Sequence, residues 1–112
     1  MLSITTKDFR RCSVVTASGR VDAATAPQLE ETFKGLTDNG QYGIVLDMSD
    51  VEFISSYGLR VLVDARRACR KNNRGDLVLA SISDDVKRTL ELAGFYTLFS
   101  VHDAALDAVA NF

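Results

Sequence analysis

Short apolar runs alternate with longer stretches of helical periodicity along the 112 residues. Ile44-Val45-Leu46 is too short for a helix and β-branched enough for a buried strand. Comparable runs predict strands over residues 2–6, 13–18, 43–48, 76–80 and 97–101. Between them the apolar positions recur every three or four residues. Leu29, Phe33 and Leu36 form one stripe of a helix over 26–36, with Pro27 in its first turn and Asn39-Gly40 beyond its end. Leu59, Leu62, Val63 and Arg66 mark a second helix from Ser56 to about Asn72, whose other face carries Arg60, Asp64, Arg67 and Lys71. A third runs over 84–93, with Ser83 as N-cap and Gly94 as stop, and a short fourth over 103–109.

Strands that alternate with helices imply right-handed β-α-β crossovers. The fold class is therefore α/β: a mostly parallel mixed sheet of about five strands with about four helices, the first strand joining by an antiparallel hairpin. In such a sheet the ends of strands two, three and four open on one edge, where ligands and partners bind. That edge should gather Asp22, Asp47 to Asp50, Ser55, Ser56 and Ser81 to Ser83.

The segment from Asp47 to Arg60 carries the most chemistry, because two hydroxyls, Ser55 and Ser56, stand where a buried strand hands over to a helix. A serine there can cap the helix by accepting from a free backbone N–H. The same N–H groups and the helix dipole would also stabilise a phosphate. Gly58 costs about 1 kcal/mol relative to alanine inside a helix. Close approach of a partner would account for it.

This segment resembles the signature of the STAS domain, and specifically of the bacterial anti-sigma factor antagonists, with Ser-Ser or Asp-Ser followed by Gly-Leu. Gly19-Arg20-Val21-Asp22-Ala23-Ala24-Thr25-Ala26-Pro27 is similar to the family's Gly-x-x-Asp-x-x-Thr-Ala-Pro stretch, and Ser83 to Arg88 with Leu92-Ala93-Gly94-Phe95 to its C-terminal third. The resemblance spans essentially the whole chain, read as one STAS domain over 1–112. It implies the STAS fold, phosphorylation of Ser56 by an anti-sigma factor that is itself a serine kinase, and a serine phosphatase that resets the switch. Asp22, Thr25, Ser55, Ser56, Tyr57, Gly58 and Arg60 are the expected partner-binding residues. Ser55 stands where some members have Asp. Tyr57, a bulky ring where a small or hydroxyl residue is usual, is expected to be exposed, because Leu59, Leu62 and Val63 already supply the core-facing stripe. The alternative is a STAS structural or scaffold subunit of a signalling assembly or transporter, in which Ser56 is only a cap; a flavodoxin-like nucleotide or small-molecule binder is more remote.

Composition narrows the classes further. The formal net charge is −2 and the sequence pI about 5.3, which argues against a nucleic-acid binder. Arg66, Arg67, Arg70, Lys71 and Arg74 form a cationic cluster, read as the solvated C-terminal end of a helix. No apolar run approaches a membrane span, and the start lacks a secretory pattern, so a cytoplasmic chain is expected. Cys12 and Cys69 belong to no paired motif and read as reduced, partly buried thiols. His102 stands alone, and no phosphate-cradling glycine loop occurs. Neither catalysis, nor a cofactor, nor a metal is expected.

Overall fold

The computed structural model describes residues 1–72 and 74–112. Five strands, β1 (Leu2–Asp8), β2 (Ser13–Val21), β3 (Gly43–Ile54), β4 (Asp76–Ala80) and β5 (Val101–His102), lie in the sheet in chain order. β1 pairs antiparallel with β2, and every other pairing is parallel. The crossovers are α1 (Ala26–Asp38), α2 (Ser56–Arg70) and α3 (Asp84–Leu92), and α4 (Ala105–Ala110) follows β5. Mixed sheet and four helices match the sequence expectation.

Strand alternation sorts the core onto two faces. Val15, Ile44, Leu46, Leu77 and Leu79 face one way and are covered by Leu29 and Phe33 of α1, Leu59 and Leu62 of α2, and Val86 and Leu90 of α3. Val14, Val45, Val78 and Ala80 face the other way, under Ala108 of α4 and the flanking Phe9 and Phe112. Burying each such leucine or valine contributes about 1.5–3 kcal/mol, which makes the central strands the rigid part of the molecule. Cys12 and Cys69 are both free and fully buried, more so than their sequence context suggested. Burial raises the Cys12 thiol pKa, and burial with the nearby Asp76 carboxylate pushes Cys69 up to about 11. Both are poor thiolates, hence poor nucleophiles.

Two elements depart from the sequence pattern. β3 does not stop at Met48 but continues to Ile54, so Asp47 to Asp50 lie within a strand and not at its end. Relative to β2, β3 carries an extra residue between Asp47 and Asp50 and again between Val51 and Phe53. Each bulge resets the alternation, and the buried residues Met48, Val51 and Ile54 fall three apart, a spacing that hides a strand. The expected strand over 97–101 shrinks to Val101–His102, preceded by a 3-10 turn, Tyr96–Leu98. Gly94, at φ +79°, turns the chain so that Phe95 and Tyr96 pack on the core and Phe99 is buried. Aromatic burial overrides strand propensity here.

Candidate functional site

The site is built where β2 and β3 end side by side. Val21 pairs with Ile54, and the Ser55 N–H donates to the Val21 carbonyl at 2.8 Å, so the start of α2 is tied to the loop that follows β2. That bond fixes Ser55 in an extended conformation, φ −83° and ψ 170°, and its hydroxyl accepts from the Gly58 N–H at 3.2 Å. Ser55 is the N-cap. Ser56 is the first helical residue, exposed, and its hydroxyl makes no hydrogen bond among the described residues. The capping role open to Ser56 on sequence grounds belongs to its neighbour. Ser55→Ala is expected to cost about 1 kcal/mol of stability, measured by urea unfolding, with the Ser56 backbone otherwise in place.

The loop after β2 is held by its own side chains. Asp22 Oδ1 accepts from the Ala24 and Thr25 N–H groups, both at 3.0 Å, and lies 3.1 Å from the Thr25 hydroxyl. Thr25 Oγ1 in turn accepts from the Asp22 N–H at 2.9 Å and donates to the Arg20 carbonyl at 2.7 Å. The Thr25 N–H, then the Thr25 hydroxyl, the Ala24 N–H and Arg20 hold the Asp22 carboxyl below its ordinary range, against an opposing push from burial. Asp22 thus shapes the loop as well as bordering the site. Because folding lowers its pKa, the stability it contributes is present above about pH 4 and disappears as the pH falls through the folded value. Urea unfolding of the wild type and Asp22→Asn should therefore differ at pH 6, and the difference should shrink as the pH falls below about 4; a difference that does not change with pH would rule out the charged form as the source.

Around this frame lie the exposed groups. The Tyr57 ring is 44% exposed, as its register outside the apolar stripe suggested. Tyr57 and Arg60 border a shallow hollow of about 270 Å³ completed by Glu30, Val61 and Asp64. Sequence reasoning missed a further pair: Arg20 stacks on the exposed Phe53, 4.3 Å from guanidinium to ring centre, on the paired ends of β2 and β3. The available signal was an aromatic beside Glu52, out of step with the apolar Val51 and Ile54. Gly58 behaves differently from expectation. It is buried, and a Cβ there would stand 2.7 Å from Val21 Cγ1 and 2.8 Å from Ile54 Cγ1. The close approach is made within the domain, by the two strand ends.

Of the other hydroxyls expected at this edge, Ser49 on β3 is exposed and unbonded among the described residues, whereas the two that follow β4 are occupied. Ser81, at φ +57°, donates to the Asp103 carbonyl at 3.0 Å, and Ser83 caps α3 by accepting from the Val86 N–H at 3.2 Å. Asp47 accepts from the Ser49 N–H at 3.0 Å, and Asp50 is exposed on β3. Among the described residues no group of three His, Cys, Asp or Glu side chains could hold a metal, and no helix is long and apolar enough to cross a membrane. His102 lies on the edge strand β5, paired with Ala80.

The five-stranded mixed sheet with its four helices is shared with known proteins. The STAS domain family model matches residues 3–108. BtrV of Bordetella bronchiseptica, which bears the name of an anti-sigma factor antagonist, is 35% identical over 94 residues, 84% of this chain and 80% of BtrV. The anti-sigma-B factor antagonist of Staphylococcus aureus is 28% identical over 102 residues, covering 91% of this chain and 94% of its own. The crystal structure of an anti-sigma factor antagonist from Mycobacterium paratuberculosis superposes with a TM-score of 0.84 at 26% identity, over 99% of this chain and 93% of that one. The chain belongs to the STAS domain family, among the anti-sigma factor antagonists.

Proposed function

We propose that the protein binds an anti-sigma factor through the edge formed by the β2–α1 loop and the start of α2, and that phosphorylation of Ser56 by that partner, a serine kinase, releases it. The observation that carries this reading is the Ser56 hydroxyl: exposed and unbonded among the described residues, while Thr25 and Ser55 of the same rim are spent on local hydrogen bonds. The phosphate arrives on a helix end whose first turn has no acidic residue, where the free N–H groups and the dipole accept it. Release follows from about −1.5 to −2 added charge on the contact surface, with the fold intact. Ser56, Tyr57 and Arg60 offer exposed side chains to the partner. Asp22, Thr25 and Ser55 hold the rim in shape, and Gly58 lets α2 sit against it.

In this reading the protein is a cytoplasmic binding module, one domain over 1–112, and not an enzyme. It carries no cofactor; the kinase brings the ATP, and a serine phosphatase returns the chain to its binding form. Incubation with the anti-sigma kinase and ATP, followed by phosphopeptide mapping, tests it: phosphate on Ser56 is expected, and phosphate on Ser55 or Tyr57 would overturn the assignment. Tyr57 presents a rigid apolar ring with a polar tip, a combination favoured at interfaces. Tyr57→Ala should leave the melting temperature nearly unchanged and weaken binding to the anti-sigma factor by on the order of 1 kcal/mol or more by calorimetry. Equal affinities would make Tyr57 a packing residue only.

A further inference from the structure

The opposite end of α2 carries a second surface, which lies outside the Ser56 edge. Val63, Arg66, Arg67, Arg70 and Lys71 recur three and four apart on one stripe of the helix, and with Leu98 of the 3-10 turn they line a groove of about 350 Å³. Cations at a helix C-terminus are favoured by the dipole. The dipole does not explain an aliphatic floor. Leu98 remains 36% exposed at the groove, beside the half-buried Val63.

The cations here outnumber the acceptors. Asp76 engages two of them, Oδ1 lying 3.7 Å from Arg66 Nε and Oδ2 3.4 Å from Arg70 Nη1. The first distance is too long for a hydrogen bond, and Arg66 Nε is buried without an acceptor. Arg67 and Lys71 have no ion-pair partner among the described residues, and both project from an otherwise acidic chain of net charge −2. Guanidinium groups match carboxylates in planar, two-point geometry.

We propose that this groove docks an acidic polypeptide segment, with an aliphatic side chain of the segment seated on Val63 and Leu98 and its carboxylates on Arg67, Arg70 and Lys71. Three features favour a peptide over a nucleic acid. The cations are few, whereas affinity for nucleic acid grows with the number of phosphates neutralised. The net charge of the rest of the chain repels an extended polyanion. The floor is apolar and offers no aromatic ring for base stacking. Along α2 the groove runs from Val63 to Lys71, about 10 to 22 Å from Ser56 at 1.5 Å per residue. A segment bound there and a partner at the Ser56 edge can be held together.

The probe is a short fluorescein-labelled peptide of Glu and Asp with one central Leu, titrated into the full chain at low salt. The expected result is submillimolar binding by anisotropy, with backbone amide shifts in the ¹⁵N spectrum centred on Val63, Arg67, Lys71 and Leu98. The Arg67→Glu, Lys71→Glu double variant should bind about tenfold more weakly, and Leu98→Ser about threefold, at unchanged melting temperature. Ser56→Asp should bind the peptide as the wild type does, which separates this surface from the reading of Ser56. Single-stranded DNA and phosphatidylglycerol vesicles should bind at least about tenfold more weakly than the peptide. Absence of amide shifts in the wild type at millimolar peptide would overturn the proposal, as would equal affinity for DNA or vesicles, or full affinity in the double variant or in Leu98→Ser.

Discussion

Gly58→Val is expected to destabilise the protein by about 2–3 kcal/mol, the upper part of the range for overpacking a well-filled site, and to lower its melting temperature by roughly 10–20 °C. The first atom added at Gly58 meets Val21 Cγ1 at 2.7 Å and Ile54 Cγ1 at 2.8 Å. Val21 and Ile54 are both buried, at 0% and 1% exposure, and both end strands that are paired with each other. Neither can withdraw without opening the sheet edge on which Ser55 is hydrogen-bonded. Relief comes from moving the start of α2, which breaks the bond from the Ser55 N–H to Val21. Alanine has the same first atom but gains about 1 kcal/mol of helix propensity, so Gly58→Ala should lie well short of valine. Thermal unfolding of the three proteins checks the order. A valine variant as stable as the wild type would mean that the approach of helix to strands is looser than these distances.

Ser56→Ala and Ser56→Asp should separate modification from binding. Alanine removes the hydroxyl and should abolish phosphate incorporation while leaving anti-sigma affinity within about twofold, since Ser56 makes no bond that the fold needs. Aspartate supplies one negative charge of the roughly two that phosphate brings, and should weaken binding on the order of tenfold. Its effect on stability should have the opposite sign. A carboxylate in the first turn of a helix with no other acid there is worth about 0.3–1 kcal/mol in favour of the fold. Weaker binding with an equal or slightly higher melting temperature is the expected pair of results. Weaker binding with a lower melting temperature would point to unfolding of the helix start in place of surface repulsion.

The sheet and its crossovers were legible because their signals are local. Ile44-Val45-Leu46 sits on both faces of a central strand, and Ser83 and Gly94 bracket α3 with ordinary capping chemistry. The division of labour between Ser55 and Ser56 was not legible. Two adjacent serines are equivalent by local propensity, and the choice is made across the sheet by the bond to the Val21 carbonyl. Gly58 was misread for the same reason, since its neighbours Val21 and Ile54 are fixed by strand pairing and not by helix periodicity. The outer half of β3 was missed because its two bulges erase the alternation that marks a strand. The self-bonded Asp22–Thr25 loop was visible as a motif, but its hydrogen bonds were not.

β3 outruns β4. The pairing with β4 ends at Asp47 and Ala80, whereas the pairing with β2 continues to Ile54. The last seven residues of β3 therefore stand as an overhang, braced by a ladder on one flank only. A load applied at Ser56 passes along this cantilever into β2 and the Asp22–Thr25 loop, and finds no ladder leading to β4 or β5. Helix packing supplies the other route: α2 rests on β4, and α3 on β3, so the half of the molecule without a ladder to the overhang meets it only through side chains.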